Sequence, residues 1–418
     1  MMDVQWAFIS IFTASLAHFI LRIVLGKELG PEGLGIYTLA FTIYLFGMQF
    51  AAFGIGSALT KYVAEFIDDR ATIRRYVSSG MTSSIITGAL MGVVLYLLAP
   101  YIAISFFKIP ELLLLLQLTA ICYPFIAIQK AVLGTLNGFR KMHLYALLNI
   151  VQNVTVVGVS IGLVLISGMG VTGAVIGFVV PTIIIGILSP FLIRNFLQKS
   201  SLWHIPMLRE TSVFGFYVVL NNSISFVNTQ ISVIVMGYYL TAYEVGIYAV
   251  AVLFAQILTL IPSAVQSVIY PITATLYGKG DIIGIRNVIF STMKKIFIVS
   301  GIITILLVIF GQYLIEFLFS IEFLSAYGPL LILLFGNLIY APFQAIATTL
   351  ASIGKVHIPF QITTICCILN LLLNIFLIPL FGIIGAALAT TISLIISFTV
   401  FVIVLNSFLK SDLTPSET

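Results

Sequence analysis

Three residues near the start of the chain, in the stretch SLAHFILR, have the types and spacing to hold an anion. Ser15, His18 and Arg22 lie three and four residues apart, so a helix presents all three on one face. A guanidinium flanked by an imidazole and a hydroxyl suits a phosphate, which arginine grips through two parallel N–H bonds. Lys130, at the end of CYPFIAIQK, places a second cation inside an apolar run. A further set is neutral. Asn221, Ser225, Asn228 and Ser232 recur at helical spacing in NNSISFVNTQIS, and Thr229 falls beside them. Amides and hydroxyls both donate and accept, which matches the hydroxyls of a sugar. Gln49 and Gln256 offer the same chemistry singly.

Each of these residues also has a plainer role open to it. Arg22 can snorkel to a nearby membrane surface and pair with Glu28 or Glu32. Lys130 lies about eight residues from the nearest basic loop, a longer reach for a snorkelling side chain. His18 can be an interior histidine held by one hydrogen bond. The Asn/Ser stripe, Gln49 and Gln256 can be polar glue between helices.

The elements that carry these groups must be membrane helices. Hydrophobic residues make up 61% of the 418-residue chain and charged residues 8%, against about a quarter charged in soluble domains. A hydrocarbon core about 30 Å thick takes about 20 helical residues. Continuous apolar runs of that length fall near 6–25, 34–59, 77–99, 112–136, 144–166 and 171–193. A second set falls near 212–236, 245–270, 288–310, 324–350, 358–380 and 382–406, the last boundary resting on PLFGIIG alone. The runs do not alternate, so helices are expected rather than a barrel. The expectation is an all-α polytopic protein of twelve spans. It comprises a six-helix lobe over 1–200, the cytoplasmic end of a connector over 201–211, a second lobe over 212–407 and a disordered cytoplasmic tail over 408–418.

Basic residues collect in cytoplasmic loops. With the N-terminus inside, the inner loops hold 15 Lys and Arg, and the outer loops hold only Lys27 and Lys108. Both termini are therefore expected in the cytoplasm. The net charge of +5 is accounted for by loops facing an anionic leaflet, without nucleic acid. The start MMDVQWAF has an acid and no basic segment, so the first span is expected to stay as an anchor. Trp203 in the connector is expected at headgroup level. Cys122, Cys366 and Cys367 lie within spans, which implies neither a disulfide framework nor a metal site.

The chain repeats itself. GKELGPEGLGIYTLA at 26–40 and GYYLTAYEVGIYAVA at 237–251 share six of fifteen positions at an offset of 211. GVTGA at 170–174 and GIIGA at 382–386 match at 212. Six spans per half leave each copy starting and ending on one side, so the halves are expected as parallel repeats. Gly35 and Gly246 are expected to turn the chain into spans two and eight. Tyr37 and Tyr248 are expected to anchor those spans at the headgroups.

GPEGLGIYTLAFTIYLFGMQFAAFGIGSALTKYVAEFIDD at 30–69, LGTLNGFRK at 133–141 and GVTGAVIG at 170–177 resemble the Wzx-type polysaccharide flippases of the multidrug/oligosaccharidyl-lipid/polysaccharide exporter superfamily. The resemblance covers essentially the whole chain. It implies two lobes around a central cavity lined chiefly by spans 1, 2, 7 and 8, and a polyprenyl-linked saccharide moved to the outer leaflet. Membrane lipids and other polysaccharide-assembly proteins would be its partners, and no cofactor is implied. Two other functions stay open. A cation-coupled drug antiporter would want a carboxylate inside a span, yet every Asp and Glu falls near a span end. A membrane polymerase or ligase would want acid and base groups on a sizeable outer loop, and the outer loops are short. ATP hydrolysis lacks its phosphate loop, since ASIGKV has neither the first glycine nor the Ser/Thr.

Overall fold

The computed structural model describes residues 2–198, 204–352 and 357–411. Lys199, Trp203, Lys355 and the tail beyond Ser411 lie outside the described residues. Helix follows helix, and no strand occurs among the described residues. The order is α1 (Met2–Ala52), α2 (Ile55–Glu65), α3 (Arg70–Pro100), α4 (Leu112–Gly138), α5 (Met142–Leu165), α6 (Gly170–Leu188), α7 (Ile205–Tyr239), α8 (Ala242–Ala255), α9 (Ile257–Gly278), α10 (Ile282–Leu318), α11 (Tyr327–Ile346), α12 (Thr349–Ser352) and α13 (His357–Ser411).

Ten helical stretches among the described residues are long and apolar enough to cross a membrane, and two of them run for 54 and 48 residues. A straight helix of that length would measure about 70–80 Å, more than twice a hydrocarbon core. The first is three helical segments, broken at Gly30 (φ 66°, ψ −175°) within α1 and again at Phe53–Gly54 between α1 and α2, and the second is two, meeting at Gly382 (φ 58°, ψ −135°) within α13. A side chain is disfavoured in that region of backbone space. Pro31 follows Gly30, at the first position of the second helix, where a missing N–H costs nothing.

The second half makes its corresponding reversal with different chemistry. Thr241, 211 residues after Gly30, caps α8 by accepting from the Glu244 N–H, while the Glu244 carboxylate accepts from the Thr241 N–H. Gly35 and Gly246 are therefore not the turning residues. Both are buried, within the helices that follow the turns. Tyr37 and Tyr248 are buried against other helices, 2% exposed each. Tyr37 packs on Phe41 and edge-on against Phe178, with ring centroids 5.7 and 6.3 Å away. The Tyr248 hydroxyl lies 3.5 Å from Thr390 Oγ1. Phe178 and Thr390 are themselves 212 residues apart, so the repeated tyrosine meets the repeated helix in both halves.

The chain forms two compact units, Met1–Phe226 and Val227–Thr418. In the first, α4 packs against α1, α2, α3 and α6; in the second, α11 packs against α8, α9, α10 and α13. These hubs are the fourth spans of the two repeats. One core cluster joins α2, α3 and α4 through Leu59, Val63, Val77, Val132 and Leu136. Another joins α10, α11 and α13 through Ile289, Ile346, Cys366 and Phe401. The α2–α4 crossing is close enough that a methyl on Gly134 would lie 2.0 Å from the Gly56 carbonyl oxygen. The Thr60 hydroxyl donates to the Gly134 carbonyl there at 3.0 Å.

Candidate functional site

The first unit holds the charged part of the candidate site. His18 Nε2 lies 3.2 Å from Asn153 Oδ1, and Asn153 Nδ2 donates to the Asn149 carbonyl at 2.8 Å. This ties α1 to α5 and holds the imidazole in one orientation. Arg22 is half-buried, within electrostatic range of His18 and Tyr37. It makes no hydrogen bond or ion pair among the described residues. Glu28 and Glu32 are both exposed and do not reach it. Pairing to either carboxylate is thus not the state of this arginine. Ser15 is exposed and Gln49 half-buried.

Lys130 is placed by the tight α2–α4 crossing. A methyl on Gly56 would come within 2.6 Å of the Lys130 carbonyl oxygen. Its side chain is half-buried and likewise has no hydrogen bond or ion pair among the described residues. An uncompensated charge inside a span costs about 2.5–3.5 kcal/mol on insertion scales, so two of them need a use. Neither cation has a repeat counterpart. At an offset of 211 stand Val233 and Ala341, which are 6% and 2% exposed.

Several polar groups nearby could not be singled out from the sequence. Gln152 Nε2 donates to Thr182 Oγ1 at 2.8 Å, and the Tyr123 hydroxyl donates to the Ile43 carbonyl at 3.2 Å. The Oε1 atoms of Gln129 and Gln152 are buried without a hydrogen-bond partner. A polar group so placed costs about 1–3 kcal/mol unless a water or a ligand meets it. The only signal for these residues was their polarity inside apolar runs.

The neutral stripe on α7 is divided between environments. Asn221 and Ser225 belong to the first unit and are exposed, while Asn228 is half-buried and Thr229 exposed in the second. Ser232 turns into its own unit, with Oγ 3.1 Å from Thr390 Oγ1. The Asn228 carbonyl accepts from Asn370 Nδ2 at 3.4 Å. The far end of the stripe therefore links helices. Gln256 is exposed at the junction of α8 and α9, where its carbonyl accepts from the Thr259 hydroxyl at 2.7 Å.

A chain of helices with long apolar spans is a multi-pass membrane protein. The chain belongs to the family described as polysaccharide biosynthesis protein, whose pattern matches residues 2–276. A second pattern, MatE, matches residues 218–376. An uncharacterized membrane protein, MJ1068, of Methanocaldococcus jannaschii is 25% identical over 433 residues, covering 97% of this chain and 84% of the relative. A probable low-salt glycan biosynthesis flippase, Agl15, of Haloferax volcanii is 25% identical over 421 residues, covering 98% and 85%. Among solved structures, the lipid II flippase MurJ in an inward closed conformation has the same fold. Its TM-score is 0.82 at 18% identity, with 96% of this chain and 87% of that chain covered.

Proposed function

We propose that this protein carries a polyprenyl-phosphate-linked oligosaccharide from the cytoplasmic to the outer leaflet of the cell membrane, for polysaccharide or glycan assembly. The observation that carries this is the pair of cations without partners, Arg22 and Lys130, inside spans of the first unit. A phosphate is the charged part of such a lipid, and its saccharide hydroxyls match Asn221, Ser225, Asn228, Thr229, Gln49 and Gln256. The family and the relative named as a glycan biosynthesis flippase support the substrate class.

Counting each glycine-broken helix as two gives twelve crossings, with both termini cytoplasmic. The two halves act as parallel repeats that expose their polar groups alternately to the two faces. The protein works on its substrate without chemistry, between the proteins that build the lipid-linked saccharide and those that use it. Export of cationic drugs is disfavoured because the ionisable groups within the spans are cations, which repel such a cargo.

Binding to the detergent-solubilised protein tests this. A polyprenyl-diphosphate saccharide is expected to raise the unfolding midpoint, since a ligand of the native state stabilises by mass action. A lipophilic cationic dye is expected to leave it unchanged. Stabilisation by the dye alone would favour the antiporter.

A further inference from the structure

Arg22 and Lys130 belong to one unit but stand at different depths in it. Arg22 lies eight residues before the Gly30 break and Tyr37 seven after it, and the two interact electrostatically. They mark one level. From Tyr37 the chain runs on to Gly56, which rests on the Lys130 carbonyl. The 15 residues from Tyr37 to Ala52, where α1 ends, correspond to about 22 Å of helix at 1.5 Å per residue, before the Phe53–Gly54 turn leads into α2. A second route gives a similar distance. Tyr44 is seven residues beyond Tyr37, and its carbonyl accepts from the Tyr123 hydroxyl at 3.4 Å. Lys130 is another seven residues beyond Tyr123 in a helix running the same way, about 21 Å of helical rise in all.

The backbones of the two cations therefore stand about 21 Å apart in level, so each side chain has its own range of depths. Two further acceptors in the same unit lack a partner. The Oε1 of Gln129 is unpartnered next to Lys130, and the Oε1 of Gln152 is unpartnered where Gln152 meets Thr182. Lys130 is on the side of the Arg70, Arg74 and Arg75 cluster, since α2 and α4 both run toward that end. Arg22 is on the side of the Gly30 reversal.

We infer that Lys130 and Arg22 are two successive stations for the same phosphate, the first loading it at the basic end of the lobe and the second holding it at the opposite end before release. This rests on the phosphate-lipid cargo proposed above. The ammonium suits a loading station, because a flexible point charge holds a phosphate in many orientations. The guanidinium suits the holding station, because its rigid fork fixes one.

The test uses the full chain in vesicles of uniform orientation and a short-chain fluorescent polyprenyl-diphosphate saccharide placed in one leaflet at a time. Lys130→Gln is expected to raise the half-saturating probe concentration about tenfold for transfer from the leaflet beside the basic cluster, the loss of one charge-assisted contact. From the other leaflet the change is expected to stay below about twofold. Arg22→Gln is expected to show the reverse pattern. Lys130→Arg, which keeps the charge at its level, is expected to recover most of the loss and Arg22→Lys only part of it, and either recovery separates the loss from misfolding. Equal losses from both leaflets in both variants, with wild-type transfer intact, would overturn the two stations and leave the cargo standing. Failure of the wild-type protein to bind or move the probe would overturn both.

Discussion

Arg22→Ala is expected to lower lipid-linked saccharide transfer at least about tenfold while leaving the amount of folded protein unchanged or higher, and Lys130→Ala is expected to do the same. The sign on folding follows from the absence of partners. Removing one member of a buried ion pair strands the other, which destabilises strongly. Arg22 and Lys130 have no ion pair among the described residues, so truncation strands nothing and relieves an insertion cost of about 2.5–3.5 kcal/mol. A loss of transfer without a loss of protein therefore reports on the cargo and not on the fold. Arg22→Lys is expected to recover only part of the rate, because an ammonium does not reproduce the two-pronged grip. The measurement is the initial transfer rate in vesicles, normalised to monodisperse protein by size-exclusion chromatography. Wild-type rates in both alanine variants would make these side chains snorkelling residues.

Gly30→Ala and Gly382→Ala are expected to destabilise the protein by about 1–3 kcal/mol each, since both glycines occupy backbone conformations that L-residues avoid. The strain falls where one helix reverses into the next, so the effect should reach beyond the local turn to the packing of both flanking spans. Gly30→Val adds a branched side chain at the same torsions and is expected to cost more. Gly162→Ala serves as the control. That glycine is within α5, and a methyl there meets nothing within 4 Å, so the change should be neutral or slightly stabilising. Unfolding midpoints of the four variants in one detergent decide the point. A Gly30→Ala midpoint equal to that of Gly162→Ala would show that the break at Gly30 is not needed.

Long apolar runs and loop charges were legible from the sequence because each is a local property of the chain in lipid. The helices fall where continuous apolar residues predict them, and the boundary inside PLFGIIG is present as the Gly382 break. The repeat was legible too, but not its physical meaning. The identical LGIY and VGIY letters suggested matching turns, whereas the turns lie five residues earlier and use Gly30–Pro31 in one half and a Thr241–Glu244 capping box in the other. What the repeated letters preserve is a buried tyrosine against the sixth span of each half. A tyrosine at a headgroup and a tyrosine in a bundle interior have the same sequence neighbours, and only the facing helix distinguishes them. His18 illustrates the same limit, because its partner Asn153 stands 135 residues away on α5. The cations of the first unit were visible as charges in apolar runs. Their separate depths were not, since depth depends on which glycine of α2 meets which carbonyl of α4.

Transbilayer movement of a lipid-linked oligosaccharide tests the central claim most directly. The purified protein would be reconstituted into vesicles with a polyprenyl-diphosphate saccharide confined to one leaflet and a cationic dye inside. Appearance of the saccharide at the other leaflet would be followed with a membrane-impermeant saccharide-modifying reagent. The expected result is saccharide transfer that rises with protein content, falls in Arg22→Ala and Lys130→Ala, and leaves the dye enclosed. Protein-dependent release of the dye, with the saccharide remaining in its original leaflet, would contradict the account.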